Sequence, residues 1–299
     1  MKKYLFLIIS FFTALVASGA TYYVVPGGAG NKNGTSWANA YADVQTAINR
    51  ASSAGGGEVW IAKGTYKHGS AMTMKNNVAI YGGFAGTETS KDQRVSGNNT
   101  ILDGEGKYIV FVNSYTKLNP LTNSAKLDNV TIQNGYTSGS GAGMYNYYAS
   151  PEITNCTFSN NSASSYGGGM YNIRSSSPKL TNCILWGNTA SSSGNEIYNS
   201  SSNTTIDTCI IEGGYSSYGT YTNIITSDPK LMPLGNYGGS VQTCPVGAGS
   251  SAIDVGKVVY GVITDARGFT RFSSSPTIGA CEYQNKLTIS TITTREGYL

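Results

Sequence analysis

The chain has 299 residues, with 20 basic and 16 acidic side chains and a formal net charge of +4. This near-balance excludes the strongly basic surface that electrostatic binding of nucleic acid requires. Charged residues make up 12% of the sequence, while glycine occurs 38 times and tyrosine 22 times. Such a composition is typical of secreted β proteins.

The first 20 residues have the pattern of a secretory signal peptide. A basic start at Lys2 and Lys3 precedes an apolar run over residues 4–16 and small residues through Ala20. The run is too short for a stable membrane span, so we expect cleavage near Ala20. The rest of the chain has no stretch hydrophobic enough to cross a membrane. We therefore expect an extracellular or cell-surface protein.

One helix is predicted after a first strand at residues 21–25. It runs from Trp37 to about Ser53, because four apolar side chains recur at steps of three and four. These are Tyr41, Val44, Ile48 and Ala51. The open end of a stack of strands exposes unpaired edges and needs a cap, and we expect this helix to provide it.

Two sequence motifs after the helix predict the first coils of a structure in which strands stack coil upon coil. The segment Gly55–Tyr66 alternates apolar side chains, and Asn77–Ile80 repeats the Asn-Val-x-Ile phrase of the later units. Polar loops interrupt the pattern at residues 82–99 and 113–125. Loops that leave a solenoid are the usual places for binding and catalysis.

The stretch from Leu127 to about Ile211 contains four copies of one sequence repeat. The units begin at Leu127, Ile153, Leu180 and Ile206, and these starts lie 26, 27 and 26 residues apart. A fixed period of this length indicates one supersecondary unit stacked on copies of itself. Short alternating apolar runs between Asn, Gly and Ser residues indicate strands joined by tight turns.

Stacking the units places equivalent residues above one another, about 4.8 Å apart. Asn129, Asn155 and Asn182 then occupy one turn and hydrogen-bond up the stack, while Thr208 breaks the series. An inward column follows: Val130, Cys156, Cys183 and Cys209. We interpret its thiols as small buried hydrophobic groups. One coil of parallel strands per repeat is a β-solenoid.

Three sets of motifs resemble known families. Asp43–Ile48 followed by Gly55–Tyr66 resembles the N-terminal cap and first coil of the pectate-lyase-like right-handed parallel β-helix superfamily. Phe158–Asn161 and Gly167–Met170 resemble the repeats of chlamydial-type polymorphic outer-membrane proteins, which are surface adhesin modules. Four later segments are similar to the choice-of-anchor Q module of secreted bacterial β-helices: residues 228–239, 251–256, 264–268 and 278–282.

These resemblances imply an all-β fold, a right-handed single-stranded parallel β-helix with an N-terminal capping helix. They also imply a bacterial surface protein, at the outer membrane. We divide the chain into a signal peptide at 1–20, the β-helix with its cap at 21–226, a C-terminal closing module at 227–283 and a tail or linker at 284–299.

Residues that carry chemistry are few. The single histidine, His68, stands apart from the cysteines, so no zinc site is predicted, and we expect no metal and no cofactor. Pectate-type lyases cluster carboxylates around calcium, a pattern this sequence does not show. One loop group is open to two interpretations, a carboxylate pair for glycoside hydrolysis or a solvated loop with a turn. It consists of Glu88, Asp92, Arg94, Asp103 and Glu105.

The predicted closing module contains further polar residues and two cysteines. Following the resemblance, we interpret four polar residues as structural pairs that fix its turns: Asp254, Asp265, Arg267 and Glu282. An exported context permits a disulfide between Cys244 and Cys281, and the sequence leaves their redox state open. No catalytic residue is assigned anywhere in the chain.

Tyrosines provide the better functional indication. Tyr145, Tyr171 and Tyr198 share one register, and alternation with inward neighbours points them outward. A row of exposed phenol rings suits sugar rings or a partner protein. The alternative is a self-stacking ladder that stabilises the sheet. The next residues predict a second turn ladder: Asn146, Asn172 and Asn199.

Together these features predict a non-catalytic, adhesin-like module that binds glycan or another surface. Its partner is a polysaccharide, a surface glycan, or a protein on a neighbouring or host cell. The main alternative is a polysaccharide lyase or glycoside hydrolase acting in the loops at residues 83–125. A third interpretation is a spacer that only separates partner domains.

Overall fold

The computed structural model describes residues 19–94, 96–97, 100–215, 219–232, 235–236, 242–243, 246–258, 267–268, 270, 274–279 and 282–283. Nearly all of the repeated region is built from short parallel strands that stack coil upon coil. This confirms the predicted all-β, right-handed parallel β-helix. Most of the predicted signal peptide, the pair Cys244 and Cys281, Asp265 and the tail 284–299 lie outside the described residues.

A 13-stranded sheet covers two sides of the solenoid. Its first run consists of β1 (Ala20–Val24), β2 (Gly57–Ala62), β4 (Val78–Phe84), β8 (Lys126–Asp128), β12 (Glu152–Thr154), β16 (Lys179–Thr181) and β20 (Thr204–Ile211). Its second run consists of β3 (Gly64–Lys67), β6 (Thr100–Asp103), β9 (Thr131–Gln133), β13 (Thr157–Ser159) and β17 (Ile184–Trp186). The long strand β20 pairs with both runs, and β21 (Gly219–Ile225) lies beside it.

Two further parallel sheets complete each coil. We call the first the tyrosine sheet, which consists of β7 (Phe111–Ser114), β11 (Met144–Tyr147), β15 (Met170–Ile173) and β19 (Ile197–Ser200). The other consists of β10 (Tyr136–Thr137), β14 (Ser162–Ala163) and β18 (Thr189–Ala190). Two antiparallel pairs lie outside the coils: β5 (Ser96–Gly97) with β24 (Arg267–Gly268), and β22 (Gly235–Asn236) with β23 (Gln242–Thr243).

The capping helix α1 (Val44–Ser53) is shorter than the prediction that began it at Trp37. Asp43 ends the preceding extended chain, and its carboxylate accepts a hydrogen bond from Thr46 N at 2.6 Å, which fixes the first helical turn. Residues Trp37–Asn39 form a separate 3₁₀ turn. The buried face of α1 packs against β1, β2 and β4. The cap therefore covers the first coils as predicted.

The predicted turn asparagines adopt the left-handed backbone conformation. The φ angles are 60° at Asn129 and 52° at both Asn155 and Asn182, with Thr208 at 55°. Asparagine tolerates this conformation better than most residues, which explains its recurrence once per coil. The similar phrase at Asn77 lies in a different register, because Ile80 pairs with Leu127 and places Asn77 before the strand.

The second asparagine series is buried inside the strands of the tyrosine sheet, so its prediction as a turn ladder is wrong. Each side-chain amide donates to the amide oxygen in the next coil. The distances are 2.9 Å from Asn113 to Asn146, 2.8 Å from Asn146 to Asn172 and 2.9 Å from Asn172 to Asn199. Buried amides need such partners, and the identical residue in successive coils supplies them.

The C-terminal segment packs along the side of the coils. Val246, Ala252 and Ile278 form a small apolar cluster with Ile184 of β17 and Ile210 of β20, which pair with each other on the outer face of the sheet. Since a strand alternates its side chains between two faces, these two isoleucines leave the main core and hold the segment.

Candidate functional site

The predicted tyrosine row lies on the outer face of the tyrosine sheet. Tyr145 pairs with Tyr171, and Tyr171 pairs with Tyr198, in the registers that the repeats predict. The ring centroids of successive tyrosines lie 5.6 and 5.8 Å apart. All three side chains are half-buried, so each ring stacks on its neighbours and keeps part of its surface in solvent.

Tyr166 adds a fourth ring to this row. It precedes Gly167 in the turn before β15 and is 37% exposed. Its ring centroid lies 4.5 Å from that of Tyr198 and 6.4 Å from that of Tyr171. We call Tyr145, Tyr166, Tyr171 and Tyr198 the tyrosine strip. Partial burial raises the pKa of Tyr145 and Tyr171, so their phenols stay neutral at physiological pH.

The backbone beneath the strip is held in place by the buried side chains on the other face of the same strands. Met144 and Met170 pack in the core, beside the buried asparagine series. This interior fixes the spacing of the rings from coil to coil. A binding surface with little freedom to reorganise loses little entropy when a ligand lies on it.

The turn asparagines make a mixed set of bonds. Asn182 Nδ2 donates to Asn155 Oδ1 at 3.2 Å, but Asn155 Nδ2 donates to Asp128 Oδ1 at 3.0 Å instead of to Asn129. The side-chain amide of Asn129 is buried, and neither its Nδ2 nor its Oδ1 has a hydrogen-bond partner among the described residues. Asn182 also binds the backbone of Lys257. The upper end of this series therefore anchors the C-terminal segment.

The three cysteines of the inward column are fully buried free thiols. Cys183 N donates to Cys209 Sγ at 3.4 Å, and Cys156 Sγ contacts Thr154 O. Burial raises the pKa of the Cys156 and Cys209 thiols well above the usual value. These thiols pack as core groups and lie out of reach of a ligand on the surface.

The loop group at residues 88–105 is engaged in contacts within the protein. The Glu88 carboxylate accepts hydrogen bonds from the backbone of residues 85–87 at 2.6, 3.0 and 2.9 Å. Arg94 forms a buried ion pair with Asp128 at 3.1 Å, and Asp103 accepts from the side chains of Gln133 and Asn134. These contacts close the loop onto the coils.

His68 lies beside Asp43, the N-cap residue of α1. Its Nδ1 is 3.6 Å from Asp43 Oδ2. The hydrogen bond to His68 and those from Thr46 lower the pKa of Asp43 to about 2 despite its partial burial. The pair joins the start of α1 to the first coil.

A cleft that sequence analysis missed lies at the end of the tyrosine sheet, beyond β19. It has a volume of about 810 Å³, and its lining includes Glu196, Tyr198, Glu212, Tyr215 and Tyr221. One signal was present in the sequence: Glu196 stands where the two earlier repeats have glycine, before the shared apolar-Tyr-Asn phrase. This departure from the repeat marks the last coil of the tyrosine sheet.

Within the described residues, no three His, Cys, Asp or Glu side chains are grouped to hold a metal ion. The helices of this same part of the chain lack the length and hydrophobicity that a membrane span requires.

Comparison with solved structures shows that the chain is similar to pectate lyase Pel9A. The two share 12% identity over 90% of this chain and 97% of that chain, with a TM-score of 0.21. No protein-family model and no curated protein matches the chain. The parallel strands and their register establish the β-helix independently of this match.

Proposed function

We propose that the protein is an exported, non-catalytic β-helix that binds polysaccharide or surface glycan through the tyrosine strip. The observation that carries this proposal is the stacking of Tyr145, Tyr171 and Tyr198 in one register, with Tyr166 against them and parts of the rings in solvent. Export is supported by the basic and apolar pattern of residues 1–20.

The strip has the chemistry that a sugar polymer needs. A tyrosine ring offers an apolar face to the C–H groups of a sugar, and its hydroxyl group offers a hydrogen bond at the edge. Successive coils repeat every 4.8 Å or so, and the rings follow the solenoid axis. An extended polymer is therefore the ligand shape that fits the strip.

The contacts in the loops at residues 83–125 favour binding over cleavage there. Glu88, Arg94 and Asp103 each hold a neighbouring backbone or side-chain group. A lyase or glycosidase needs a carboxylate or base directed at substrate, whereas these groups are directed into the fold.

Affinity electrophoresis tests this proposal. The mature protein would be run through native gels cast with neutral and acidic plant, algal and host polysaccharides, beside a Tyr171→Ala variant. Tyr136→Ala is the matched control, because Tyr136 is 43% exposed on a different sheet. We expect at least one polymer to retard the wild type and the control but not Tyr171→Ala. Equal retardation of all three proteins would place the binding surface elsewhere.

A further inference from the structure

The cleft at the end of the tyrosine sheet exists because the repeat stops there. β19 is the last strand of that sheet. In the described part of the chain, no strand pairs with its outer edge. The last ring of the tyrosine strip, Tyr198, is also part of the cleft lining. The strip and the cleft therefore form one continuous surface.

The residue column Gly143, Gly169 and Glu196 shows how this space is made. A Cβ atom on Gly143 would lie 2.4 Å from the carbonyl oxygen of Gly169, and one on Gly169 would lie 2.6 Å from that of Glu196. Side chains at this position thus point along the axis into the next coil. At Glu196 the side chain occupies the space that another coil would fill.

The glutamate side chain is held firmly at this position. Asn188 donates to both of its carboxyl oxygens, from the backbone N at 3.1 Å and from Nδ2. Glu196 is 3% exposed, and burial raises its pKa to about 8. At neutral pH the Glu196 carboxyl group is therefore mostly protonated and uncharged.

Glu212 lines the same cleft as Glu196. Glu212 follows β20 and is exposed at the mouth of the cleft. Its Oε2 accepts a hydrogen bond from Gly187 N at 2.7 Å. The cleft therefore contains one buried carboxyl group, on Glu196, and one solvent-facing carboxyl group, on Glu212.

Aromatic rings form the walls. Tyr221 is 51% exposed, and its ring meets that of Tyr215 edge to face, with the centroids 5.6 Å apart and the planes at 81°. The hydroxyl group of Tyr215 accepts from Asn199 Nδ2. The wall is thus tied to the last member of the buried asparagine series.

We infer that this cleft is a terminal subsite that takes a neutral, hydroxyl-rich sugar ring of the polymer that lies along the tyrosine strip. This inference rests on the proposed function and names the preferred ligand class. The rings of Tyr198 and Tyr221 contact the C–H faces of the sugar, and the free lone pairs of Glu212 accept hydrogen bonds from its hydroxyl groups. A uronic acid is disfavoured, because its carboxylate would lie beside Glu212 with the same charge.

The carboxyl pair favours binding over hydrolysis. Retaining glycosidases hold their two carboxyl groups about 5 Å apart and inverting ones hold them farther apart. Glu196 is 3% exposed and both of its carboxyl oxygens accept hydrogen bonds from Asn188, so it is not directed at a substrate as the second carboxyl group of such a pair.

The test uses isothermal titration of the mature protein with two probes of equal length, a neutral hexasaccharide from the polymer that retards the protein and an oligogalacturonate. The variants are Tyr221→Ala, Glu212→Ala and Glu212→Gln, and Asp92→Ala is the control for an exposed carboxylate on a distant loop. We expect Tyr221→Ala and Glu212→Ala to weaken binding of the neutral probe by about 10-fold, the loss of one good contact, while Asp92→Ala binds like the wild type.

Glu212→Gln tests the role of the charge most directly, because glutamine keeps an acceptor for Gly187 N and removes only the charge of the side chain. We expect it to shift the preference between the two probes toward the oligogalacturonate. Unchanged affinities in all cleft variants, together with loss of binding in Tyr171→Ala, would overturn the terminal subsite and leave the tyrosine strip in place. Failure of the wild type to bind any polymer or probe would overturn the proposed function itself.

Discussion

Asn146 Nδ2 donates a hydrogen bond to Asn172 Oδ1 at 2.8 Å in the fully buried interior of the tyrosine sheet. The bond joins two adjacent coils directly beneath the rings that we propose to bind glycan. Because each member bonds to the next, removing an inner member breaks a buried hydrogen bond to the coil on either side.

The first prediction concerns Asn172. Its Nδ2 also donates to Asn199 Oδ1 at 2.9 Å and to Thr204 Oγ1 at 3.0 Å. Asn172→Ala should lower the free energy of unfolding by about 2–4 kcal/mol, measured by urea denaturation, because it leaves the buried Asn146 Nδ2 without its acceptor and removes the bonds to Asn199 and Thr204. The exposed Asn203→Ala variant should change it by less than about 0.5 kcal/mol. Similar losses in both variants would show that the buried series does not stabilise the stack.

The second prediction separates backbone strain from hydrogen bonding at Asn155. The φ angle there is 52°. Asn155→Gly removes the side-chain bonds to Asp128 and from Asn182 but fits the left-handed backbone, and should lose about 1–2 kcal/mol in urea denaturation. Asn155→Ala adds the cost of that backbone for an L side chain, about 1 kcal/mol more. Equal stability of the two variants would argue that the turn imposes no strain.

The third prediction concerns the pH dependence of stability. The pKa of Glu196 is raised from 4.5 to about 8 in the folded protein, so between these values the folded state binds more protons than the unfolded state. Stability from this group is complete below pH 4.5 and is lost as pH rises through 8, on the order of 5 kcal/mol in total.

Melting temperatures of the wild type and Glu196→Gln between pH 5 and pH 9 measure this effect. Glutamine keeps the neutral form, so the variant should lose less stability than the wild type toward the alkaline end. Parallel curves for the two proteins would mean that Glu196 is already ionised at neutral pH.

The fourth prediction compares a buried with an exposed ion pair. Arg94 and Asp128 are 3.1 Å apart with side chains only 4% and 9% exposed. Arg94→Met should lower the free energy of unfolding by about 3–5 kcal/mol, because it leaves a buried carboxylate without its cation. Asp128→Asn in the same chain should restore part of this loss.

Lys126 and Glu152 form the matched surface pair, at 3.1 Å. Lys126→Ala should cost less than about 1 kcal/mol, because solvent screens the pair. If Lys126→Ala and Arg94→Met cost the same in urea denaturation, the buried pair does not hold the loop onto the coils.

Sequence analysis predicted the periodic part of the molecule. The spacing of Leu127, Ile153, Leu180 and Ile206 recurs in the strand pairing, because every coil must bury the same side chains at the same height. The period also placed Tyr145, Tyr171 and Tyr198 above one another. The start of the helix was predicted less well, because the apolar spacing and the capping residue indicate different first residues. The apolar spacing places the start at Trp37, whereas the capping contact of Asp43 starts the helix at Val44.

The non-periodic contacts could not be predicted in this way. The pairing of Arg94 with Asp128 joins residues from a loop and a coil, and no spacing rule connects them. The cleft depends on where the stacking of the tyrosine sheet ends. Replacement of the repeated glycine by Glu196 signalled that end, but the position of Glu212 in the lining of the same cleft could be found only from the three-dimensional structure.

The most direct test of glycan binding by the tyrosine strip is nuclear magnetic resonance of protein with ¹³C-labelled tyrosine rings, titrated with an oligosaccharide of the polymer that retards it. Single Tyr→Phe variants would assign the signals. We predict that the ring signals of Tyr145, Tyr166, Tyr171 and Tyr198 shift together on binding, while the exposed Tyr136 is unaffected. Saturable binding that leaves all four signals of the strip unchanged would contradict the proposed function.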